Sequence, residues 1–420
     1  TASPYLSISG AGVFTANKIT TYERIDIVGA STTFQLLAGG NFNSGLTLSD
    51  AVLTGAGNLV IDSVFSRSGS ATISGFTNVS ITTSSNLIAG AISAANQIAL
   101  QSTTGSLSID GNLATTGGAA STIKLDAYSG IALNANLNSG SGKVLLNAGG
   151  SVTQAAGSNI TTSGLALRGM SGNYVLDSSS NAIAKLAADT LDVNVTTANA
   201  LAVGSVDGLT GLVANKVVLN TLGLSIDYGA SITANASSGN SLVVNVADGA
   251  FSNNSGSTSP LIVTGEGRWL VYSGTPANNS KNGMTSNFRH YAGTYATYAP
   301  NTVSETGNGF IYGITPGALQ ANTIVASGSG SQVYGDTPNT ILGYTLTGFA
   351  DNEDNASNIG LTGSAGFTAI PNASSSFGNY TLSYTGGLSS TQYGITTGLG
   401  YIYNVGARPI TVTGNSQSRT

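Results

Sequence analysis

The sequence predicts an all-β protein: a parallel β-solenoid over residues 1–268, a junction segment over 269–318 and an Ig-like antiparallel β-sandwich over 319–412. Three observations lead to this prediction. Short apolar triplets recur at intervals of about 20–25 residues, which is typical of stacked repeats. Apolar and polar residues alternate within the triplets, as in strands. The 57 glycines are scattered through the chain, so no stretch keeps the 3.6-residue period of a helix.

The composition indicates a folded, weakly charged protein. Only 7% of the residues are charged, against about 25% in ordinary domains. Disorder usually combines low hydrophobicity with high net charge, whereas this chain is 40% hydrophobic and has a net charge of −5. The acidic balance and the lack of a basic cluster argue against nucleic acid as a partner. No apolar run reaches the roughly 18 residues of a membrane-spanning helix.

The solenoid prediction rests on apolar triplets separated by Gly, Ser, Asn and Thr between Leu46 and Val263. The clearest triplets begin at Ile98, Ile123, Val144, Leu165, Leu191, Val217, Leu242 and Leu261. Each triplet is interpreted as one short strand per turn. Stacked turns would form a rod that is stabilised by contacts between neighbouring turns.

Asparagine often follows these triplets, and the four examples are Asn147, Asn194, Asn220 and Asn245. We expect them to occupy one corner of successive turns, about 4.8 Å apart. Asparagine tolerates the left-handed conformation of a tight corner, and stacked amides form hydrogen-bonded ladders. This structural interpretation is preferred to a role in ligand binding.

Aromatic residues become frequent in the junction segment. Trp269 is the single tryptophan, and Tyr291, Tyr295 and Tyr298 follow within one short stretch. These rings are interpreted either as a cap that buries area or as a platform on which sugar rings stack. Aromatic residues at a junction bury area more often than they bind ligands, so the cap is the preferred interpretation.

Longer alternating segments follow: "GYTLTGF", "GNYTLSYTGG", "YIYNV" and "RPITVTG" predict the strands of the sandwich. Between the first two segments lie the carboxylates Asp351, Glu353 and Asp354. Clustered oxygen ligands suit Ca²⁺, but the EF-hand spacing is missing. A solvated acidic turn is therefore preferred to a calcium site, and no cofactor is predicted.

The same region resembles the MBG/YDG repeat module of bacterial surface proteins. The matching motifs are the opening triplet Tyr334–Asp336, the Gly-x-Tyr-x-Leu strand of residues 378–382 and the closing strand Arg408–Val412. In this pattern residues 413–420 begin a further repeat, in which Thr420 corresponds to Val333. The resemblance implies that the chain is a segment of a larger protein.

The solenoid region, followed by "GRWLVYS" and a tyrosine-rich stretch, resembles filamentous-haemagglutinin-like proteins of two-partner secretion in Gram-negative bacteria. The resemblance implies a right-handed parallel β-helix and a location at the cell surface or outside the cell. It also implies an outer-membrane transporter as a partner during export, and a role as an adhesin or biofilm-matrix protein.

The leading functional expectation is therefore a structural and adhesive stalk without catalysis, whose partner is a surface glycan or exopolysaccharide. The alternatives are a glycan-binding module at the aromatic junction, a β-helix polysaccharide lyase or hydrolase, and an ice-binding surface. Acid–base chemistry requires clustered carboxylates with a basic partner. Asp110 and Asp126 could approach each other on successive turns, and a second, loose group comprises Asp189, Asp192 and Asp207. The single histidine, His290, lies outside the triplets, so the charged residues favour the stalk over an enzyme.

Overall fold

The computed structural model describes residues 5–21 and 24–417. Apart from three 3-10 turns at Gly118–Ala120, Pro276–Asn278 and Pro300–Thr302, the regular structure in these ranges is β-strand, as predicted. No helix among the described residues is long and apolar enough to cross a membrane. The chain forms two compact units. The first runs to Arg289 and includes Gly293–Gly313, and the second comprises His290–Ala292 and the chain from Ile314.

Apart from the two strands of one antiparallel hairpin, the strands that begin before Ile314 belong to a parallel solenoid of about 14 turns, as predicted. In chain order they are β1 (Tyr5–Ser9), β2 (Gly12–Ala16), β3 (Ile19–Thr21), β4 (Arg24–Val28), β5 (Thr32–Leu36), β6 (Gly40–Phe42), β7 (Leu46–Ser49), β8 (Val52–Gly55), β9 (Asn58–Asp62), β10 (Phe65–Ser68), β11 (Thr72–Thr83), β12 (Leu87–Ala89), β13 (Ala91–Ser102), β14 (Leu107–Ile109), β15 (Leu113–Thr115), β16 (Thr122–Ala127), β17 (Ile131–Leu133), β18 (Leu137–Ala148), β19 (Ser151–Gln154), β20 (Ile160–Leu176), β21 (Ala182–Ile183), β22 (Lys185–Thr196), β23 (Leu201–Val203), β24 (Ser205–Val206), β25 (Leu209–Thr210), β26 (Leu212–Ala214), β27 (Lys216–Asn220), β28 (Leu224–Ile226), β29 (Ile232–Ala234), β30 (Ser238–Asn245), β31 (Phe251–Asn253), β32 (Leu261–Val263), β33 (Glu266–Ser273), β34 (Phe288–Tyr291) and β35 (Gly309–Tyr312).

Three ladders of parallel strands form the faces of the solenoid, because each strand pairs with the equivalent strand one turn later. Ladder A contains β1, β4, β7 and β10, and then runs from β12 through β14, β17, β19, β20, β22, β27, β30 and β33 to β35. Ladder B runs from β2 through β5, β8, β11, β13, β15, β18 and β20 to β21, and its later strands are β23, β28 and β31. Ladder C runs from β3 through β6, β9, β11, β13, β16, β18, β20, β22, β26 and β29 to β32.

The core is built from columns of aliphatic side chains. In ladder C the predicted triplets stack in register, so that Ile98 pairs with Ile123, Ile123 with Val144, and Val144 with Leu165. All four side chains are buried. Alternate residues point outward, as the strand period of two requires. Each turn therefore contributes a small apolar set to one continuous core.

The later triplets do not continue that column. Val217 and Leu242 stack on each other in ladder A, and the preceding residue in their column is Val193 instead of Leu191. Leu261 lies in ladder C above Ile232. All three faces use the same alternation of apolar and polar residues, so the pattern alone cannot assign a triplet to a face.

The predicted single column of four asparagines is wrong, although part of it exists. Asn220 and Asn245 stack in ladder A, and Asn245 Nδ2 donates to Asn220 Oδ1 at 3.3 Å. The position before them is held by Thr196, two residues after Asn194. Asn147 belongs to ladder C. All four asparagines lie within strands and not in left-handed corners.

One amide that joins several turns internally is Asn181, which is 0% exposed. Its Oδ1 accepts hydrogen bonds from Gln154 Nε2 and from the Ile160 backbone N–H, both at 2.8 Å. Its Nδ2 lies within hydrogen-bonding distance of Gln154 Oε1 and of the carbonyl oxygens of Leu176 and Thr196. A buried polar group that satisfies its neighbours in this way is costly to remove, because each neighbour then loses a partner.

We expect Asn181→Leu to lower the free energy of unfolding by about 2–4 kcal/mol, since it leaves several buried groups unpaired. Asn220→Leu is the matched control, because Asn220 is half-exposed and its ladder bonds are 3.3 and 3.4 Å long. The control should cost no more than about 1 kcal/mol. Urea unfolding followed by circular dichroism measures both variants. An equal effect of the two substitutions would contradict this ranking.

The solenoid continues into the predicted junction segment. Trp269 in β33 pairs with Leu242 of β30, and β33 in turn pairs with β35. The Trp269 and Phe310 rings meet edge to face with centroids 5.4 Å apart, and Phe251 meets Phe310 at 5.7 Å. Lys281 Nζ lies 4.6 Å from the centroid of the Phe310 ring. Residues 269–318 therefore contain two further strands of ladder A and an aromatic cluster.

The second unit contains short strands that form three small sheets. These strands are β36 (Leu319–Ser327), β37 (Ser331–Val333), β38 (Ile341–Thr347), β39 (Thr362–Phe367), β40 (Gly378–Leu382), β41 (Tyr384–Ser389), β42 (Ile395–Thr397) and β43 (Tyr401–Gly406). The sheet orders are β38-β36-β42, β37-β43-β40 and β39-β41. Leu382, Tyr403 and Val405 form a buried cluster.

The strand predicted at Arg408–Val412 is wrong. Strand β43 ends at Gly406, and residues 407–417 form no strand in the described part of the chain. Ile410 and Val412 are exposed. An alternating pattern alone is insufficient here, because a strand also needs a paired neighbour for its backbone groups.

Candidate functional site

The four aromatic residues of the predicted platform do not share one exposed surface. Trp269 is 3% exposed and Tyr291 is 7% exposed, so neither presents a ring face to a ligand. Tyr291 belongs to the second unit, whereas Tyr295 and Tyr298 belong to the first and are half-buried. A sugar-stacking role can therefore rest only on Tyr295 and Tyr298.

Tyr295 and Tyr298 pack on the outer face of ladder A. There they contact a buried cluster that comprises Val243, Leu270, Tyr272, Phe288, Val303 and Ile311. The Tyr272 hydroxyl donates to the carbonyl oxygen of Tyr298 at 2.9 Å. The Tyr298 hydroxyl donates to Glu305 Oε2 at 2.7 Å. These contacts support the cap interpretation for Tyr298, because both its ring and its hydroxyl are used internally.

A cleft of about 330 Å³ lies beside Tyr295 in the first unit. Its lining includes Asn245, Asp248, Tyr272, Thr294 and Tyr295. The rings of Tyr272 and Tyr295 meet edge to face with centroids 5.3 Å apart, and burial raises the pKa of Tyr272. The volume is at the lower end of the range of about 300–1,000 Å³ for small-ligand sites. An aromatic wall with amide, carboxylate and hydroxyl groups could hold one sugar ring.

A local turn positions the polar rim of this cleft. At the end of β30, Asn245 Oδ1 accepts a hydrogen bond from the backbone N–H of Ala247 at 3.1 Å. Ala247 has a φ of 47°, a left-handed conformation that is uncommon for a residue with a side chain. This Asx-type turn directs the chain away from the ladder and brings Asp248 to the cleft.

The acidic loop of the second unit is not the solvated turn that the sequence predicts, since Asp351 and Asp354 are buried. Asp354 Oδ2 accepts hydrogen bonds from the hydroxyls of Tyr291, at 2.6 Å, and Tyr393. Asp351 Oδ1 accepts one from the backbone N–H of Glu353 at 2.9 Å. Within the described residues, no three His, Cys, Asp or Glu side chains form a group that could hold a metal ion. The loop is thus organised by tyrosine hydroxyls.

The carboxylates Asp110 and Asp126, which were candidates for a catalytic pair, lie on different ladders. Asp110 follows β14 of ladder A, where it accepts hydrogen bonds from Ser108 Oγ at 2.7 Å and Asn134 Nδ2 at 2.9 Å. These bonds, together with the charge of Arg67, hold the pKa of Asp110 below its usual value. Asp126 lies in ladder C, where Asn147 Nδ2 donates to it at 2.9 Å. They are therefore not the successive neighbours that their spacing indicated.

The loose group of Asp189, Asp192 and Asp207 is also divided between ladders. Asp189 pairs in register with Arg168 in ladder C. Asp192 lies in the part of β22 that pairs with β27 in ladder A, where it accepts a hydrogen bond from the Lys216 backbone N–H at 3.0 Å. Asp207 contacts Arg168, whose Nη2 lies 3.2 Å from Asp207 Oδ2. Arg168 is thus the basic partner that the sequence prediction missed.

Asp207 lies at the tip of a hairpin that the sequence prediction also missed. Strands β24 and β25 pair antiparallel and are joined by Asp207 and Gly208, both with positive φ. Two central residues with positive φ define a type I′ turn, for which Asp-Gly is a preferred sequence. The "DG" dipeptide between apolar residues was therefore the signal that could have located this insertion.

The motifs that resemble the MBG/YDG module come together in the second unit. Strand β37 pairs with β43, which places the opening triplet beside the end of the unit. Arg408 Nε donates to the carbonyl oxygen of Tyr334 at 2.7 Å, and its Nη2 contacts the Asp336 carboxylate. Gly335 has a φ of 91°, which a residue with a side chain rarely adopts. The two ends of the motif, which are far apart in the sequence, are thus in physical contact.

Comparison with protein-family models, with curated proteins and with solved structures finds no match to this chain. The class of the protein is therefore defined by its own fold, a parallel β-solenoid joined to a smaller all-β unit. The resemblance to adhesins of two-partner secretion rests on the sequence alone.

The tyrosine cluster around Asp354 predicts a pH dependence. Burial, reinforced by the hydrogen bond to Asp354, raises the pKa of Tyr393 from about 10 to about 12. The folded state holds this proton more tightly than the unfolded state, so its contribution to stability is complete below about pH 10 and is lost as the pH rises to about 12. The melting temperature of the wild-type chain should therefore fall more steeply over this interval than that of Tyr393→Phe.

The control for this comparison is Tyr228→Phe, because Tyr228 is 87% exposed. The melting temperature of the Tyr228→Phe variant should change with pH in the same way as that of the wild type. Differential scanning calorimetry at several pH values between 9 and 12 provides the measurement. Parallel profiles for wild type and Tyr393→Phe would show that the Tyr393 proton is not coupled to folding.

Proposed function

We propose that this chain is a structural and adhesive stalk of a secreted bacterial surface adhesin or biofilm-matrix protein, and that it acts without catalysis. The observation that carries the proposal is the parallel solenoid of about 14 turns. A solenoid is stabilised by contacts between neighbouring turns, so it can extend without a single globular core. It also displays a large surface in relation to its length.

The contacts of the carboxylate side chains in the solenoid support a structural role. Carboxylates on the outer faces connect different turns: Asp126 accepts a hydrogen bond from Asn147 of the next turn, and Asp227 pairs at 2.6 Å with Lys185, which lies two turns earlier. Asp110, with its lowered pKa, is ionised at neutral pH and is therefore poorly suited to donate a proton as a general acid. We infer that these carboxylates connect turns and do not take part in a reaction.

The proposal also includes the handedness of the solenoid, the type of the second unit and the route of export. We infer that the solenoid is a right-handed β-helix, that the second unit is an MBG/YDG-type sandwich, and that an outer-membrane transporter exports the protein to the cell surface or beyond. The contact of Arg408 with Tyr334 and Asp336 supports the module assignment, because it joins the two ends of the motif. The sequence contains no cysteine, which suits a chain that crosses membranes unfolded, because no disulfide can form before export.

An adhesion assay tests the proposal that the chain is an adhesive stalk without catalysis. Beads coated with the full chain should be retained under flow on glass coated with bacterial cellulose, and the chain should release no reducing ends from that polymer. Beads coated with Leu125→Asp should be lost, because Leu125 is buried in ladder C and a charge there disrupts stacking. Release of reducing ends that Asp126→Asn abolishes would contradict the proposal, and so would equal retention of the two bead types.

A second candidate function is glycan binding at the cleft beside Tyr295. The observation in its favour is that the Tyr272 and Tyr295 rings stand beside Asn245, Asp248 and Thr294 in one cleft. Tyrosine combines an apolar ring face with a polar hydroxyl, and both features match a sugar. Tyr298 is a supporting residue in this candidate, since its hydroxyl binds Glu305.

Substitution at the cleft tests this candidate. Tyr295→Ala should weaken glycan binding by roughly tenfold, because a stacked ring contributes about 1 kcal/mol beyond its buried area. Tyr298→Phe keeps the packed ring and should bind like the wild type. A glycan array identifies the ligand, isothermal titration calorimetry measures affinity, and melting temperatures confirm the fold. Unchanged binding by Tyr295→Ala, or no glycan bound by the wild type, would reject the cleft as a site.

A further inference from the structure

We propose that the outer surface of ladder C, between Tyr128 and the hairpin β24–β25, binds an uncharged oligosaccharide. Two clefts lie on this surface, with volumes of about 410 and 280 Å³. Both include Asp126 and Asn147 in their linings, so they form one continuous groove, called here the ladder C groove. This groove is a different site from the cleft beside Tyr295, and it adds a specific ligand to the proposed stalk.

The floor of the ladder C groove is a hydrogen-bonded row. Gln101, Asp126 and Asn147 are paired in register on three consecutive turns. Gln101 Nε2 donates to Asp126 Oδ2 at 3.3 Å, and Asn147 Nδ2 donates to Asp126 Oδ1 at 2.9 Å. An ionised carboxylate has about four lone-pair sites, so these two bonds leave acceptor capacity for ligand hydroxyls. The row is therefore pre-organised and still able to accept hydrogen bonds.

One end of the groove presents an aromatic ring. Tyr128, which also lines the larger cleft, is 69% exposed. The next turn places Gly149 beside it, where an added Cβ would clash with the Tyr128 carbonyl oxygen. Glycine therefore allows the two turns to approach closely beside Tyr128. An exposed ring at the end of a polar row provides a surface on which a sugar can stack.

The hairpin forms the opposite wall. Its Val206 packs on Ala166 and Ala187, two outward-facing residues of ladder C that are buried and small enough to admit it. Arg168 Nη2 reaches Asp207 at the hairpin tip and contacts both its carboxylate and its carbonyl oxygen. Two independent contacts thus hold the hairpin over the end of the groove.

The charges and dimensions indicate the class of ligand. Lys124 and Arg168 supply two positive charges, and Asp126 and Asp207 supply two negative charges, so the lining has no net charge. Because Arg168 is paired with Asp207, the Asp126 carboxylate in the floor disfavours acidic sugars relative to neutral ones. Tyr128 lies four positions after Lys124 along the chain, which corresponds to about 13 Å at about 3.3 Å per residue. This length exceeds one sugar ring, so the ligand is an oligosaccharide.

Calorimetric titration of the full chain with cellohexaose, mannohexaose and the acidic hexagalacturonate tests the groove. At least one of the two neutral oligosaccharides should bind, and hexagalacturonate should bind more weakly. Tyr128→Ala should weaken binding by roughly tenfold through loss of stacking. Asp126→Asn should weaken it too, because a neutral amide accepts weaker hydrogen bonds than a carboxylate. Tyr228→Ala is the matched control, because Tyr228 is an exposed tyrosine that lines neither cleft.

The outcomes separate this inference from both functional proposals. Weakened binding in Tyr128→Ala, with normal binding in Tyr228→Ala and Tyr295→Ala, supports the ladder C groove. Binding that is lost in Tyr295→Ala and retained in Tyr128→Ala overturns it in favour of the other cleft. Preference for hexagalacturonate, or no binding of either neutral hexaose, also overturns it. The stalk proposal is judged separately, by the retention under flow of beads that carry the wild-type chain.

Discussion

The pairing of each strand with the equivalent strand one turn later is the interaction on which the first unit depends. Parallel backbone hydrogen bonds hold successive turns about 4.8 Å apart, and this spacing places each buried side chain directly against its equivalent on the next turn. The column from Ile98 to Leu165 shows the result. Because a buried charge would have no partner in such a column, the column is filled by aliphatic side chains, which agrees with a sequence that is only 7% charged.

The same pairing organises the outer surface. An outward-facing polar residue also has an equivalent above and below it, so amides and carboxylates bond between turns, as in Asn147 with Asp126 and Asn245 with Asn220. Such a row connects neighbouring turns, and it can also contact a ligand where a cleft exposes it, as proposed for the ladder C groove. Candidate binding surfaces occur where the regular pattern is interrupted, at the hairpin that carries Asp207 and at the segment that carries Tyr295. In this solenoid, we therefore expect ligand binding to depend on segments that interrupt the regular repeat.

The two units use aromatic residues differently. In the solenoid, Trp269 and Phe310 enlarge the core near the last strands of ladder A, while Tyr295 covers its outer face. In the second unit, Tyr291 and Tyr393 bind the carboxylate of Asp354 and so stabilise a buried acidic loop. Tyrosine suits both settings because it contributes apolar area and can satisfy a buried polar partner. The enrichment of tyrosine after residue 269 is thus largely explained by packing.

The sequence by itself determined that the protein is all-β, that its first part is a solenoid and which aliphatic residues, such as Ile123 and Val144, are buried. These features depend on local alternation and on a repeat length, and both can be read along the chain. Only the tertiary structure decided the face to which each triplet belongs, the separation of Asn194 from Asn220, and the contact between Arg168 and Asp207. The three faces share one pattern and turns differ in length, so residues that meet in space are not set by a constant spacing. The ladder C groove depends on such meetings, so the sequence did not indicate it, whereas the tyrosine-rich stretch did indicate the region of the cleft beside Tyr295.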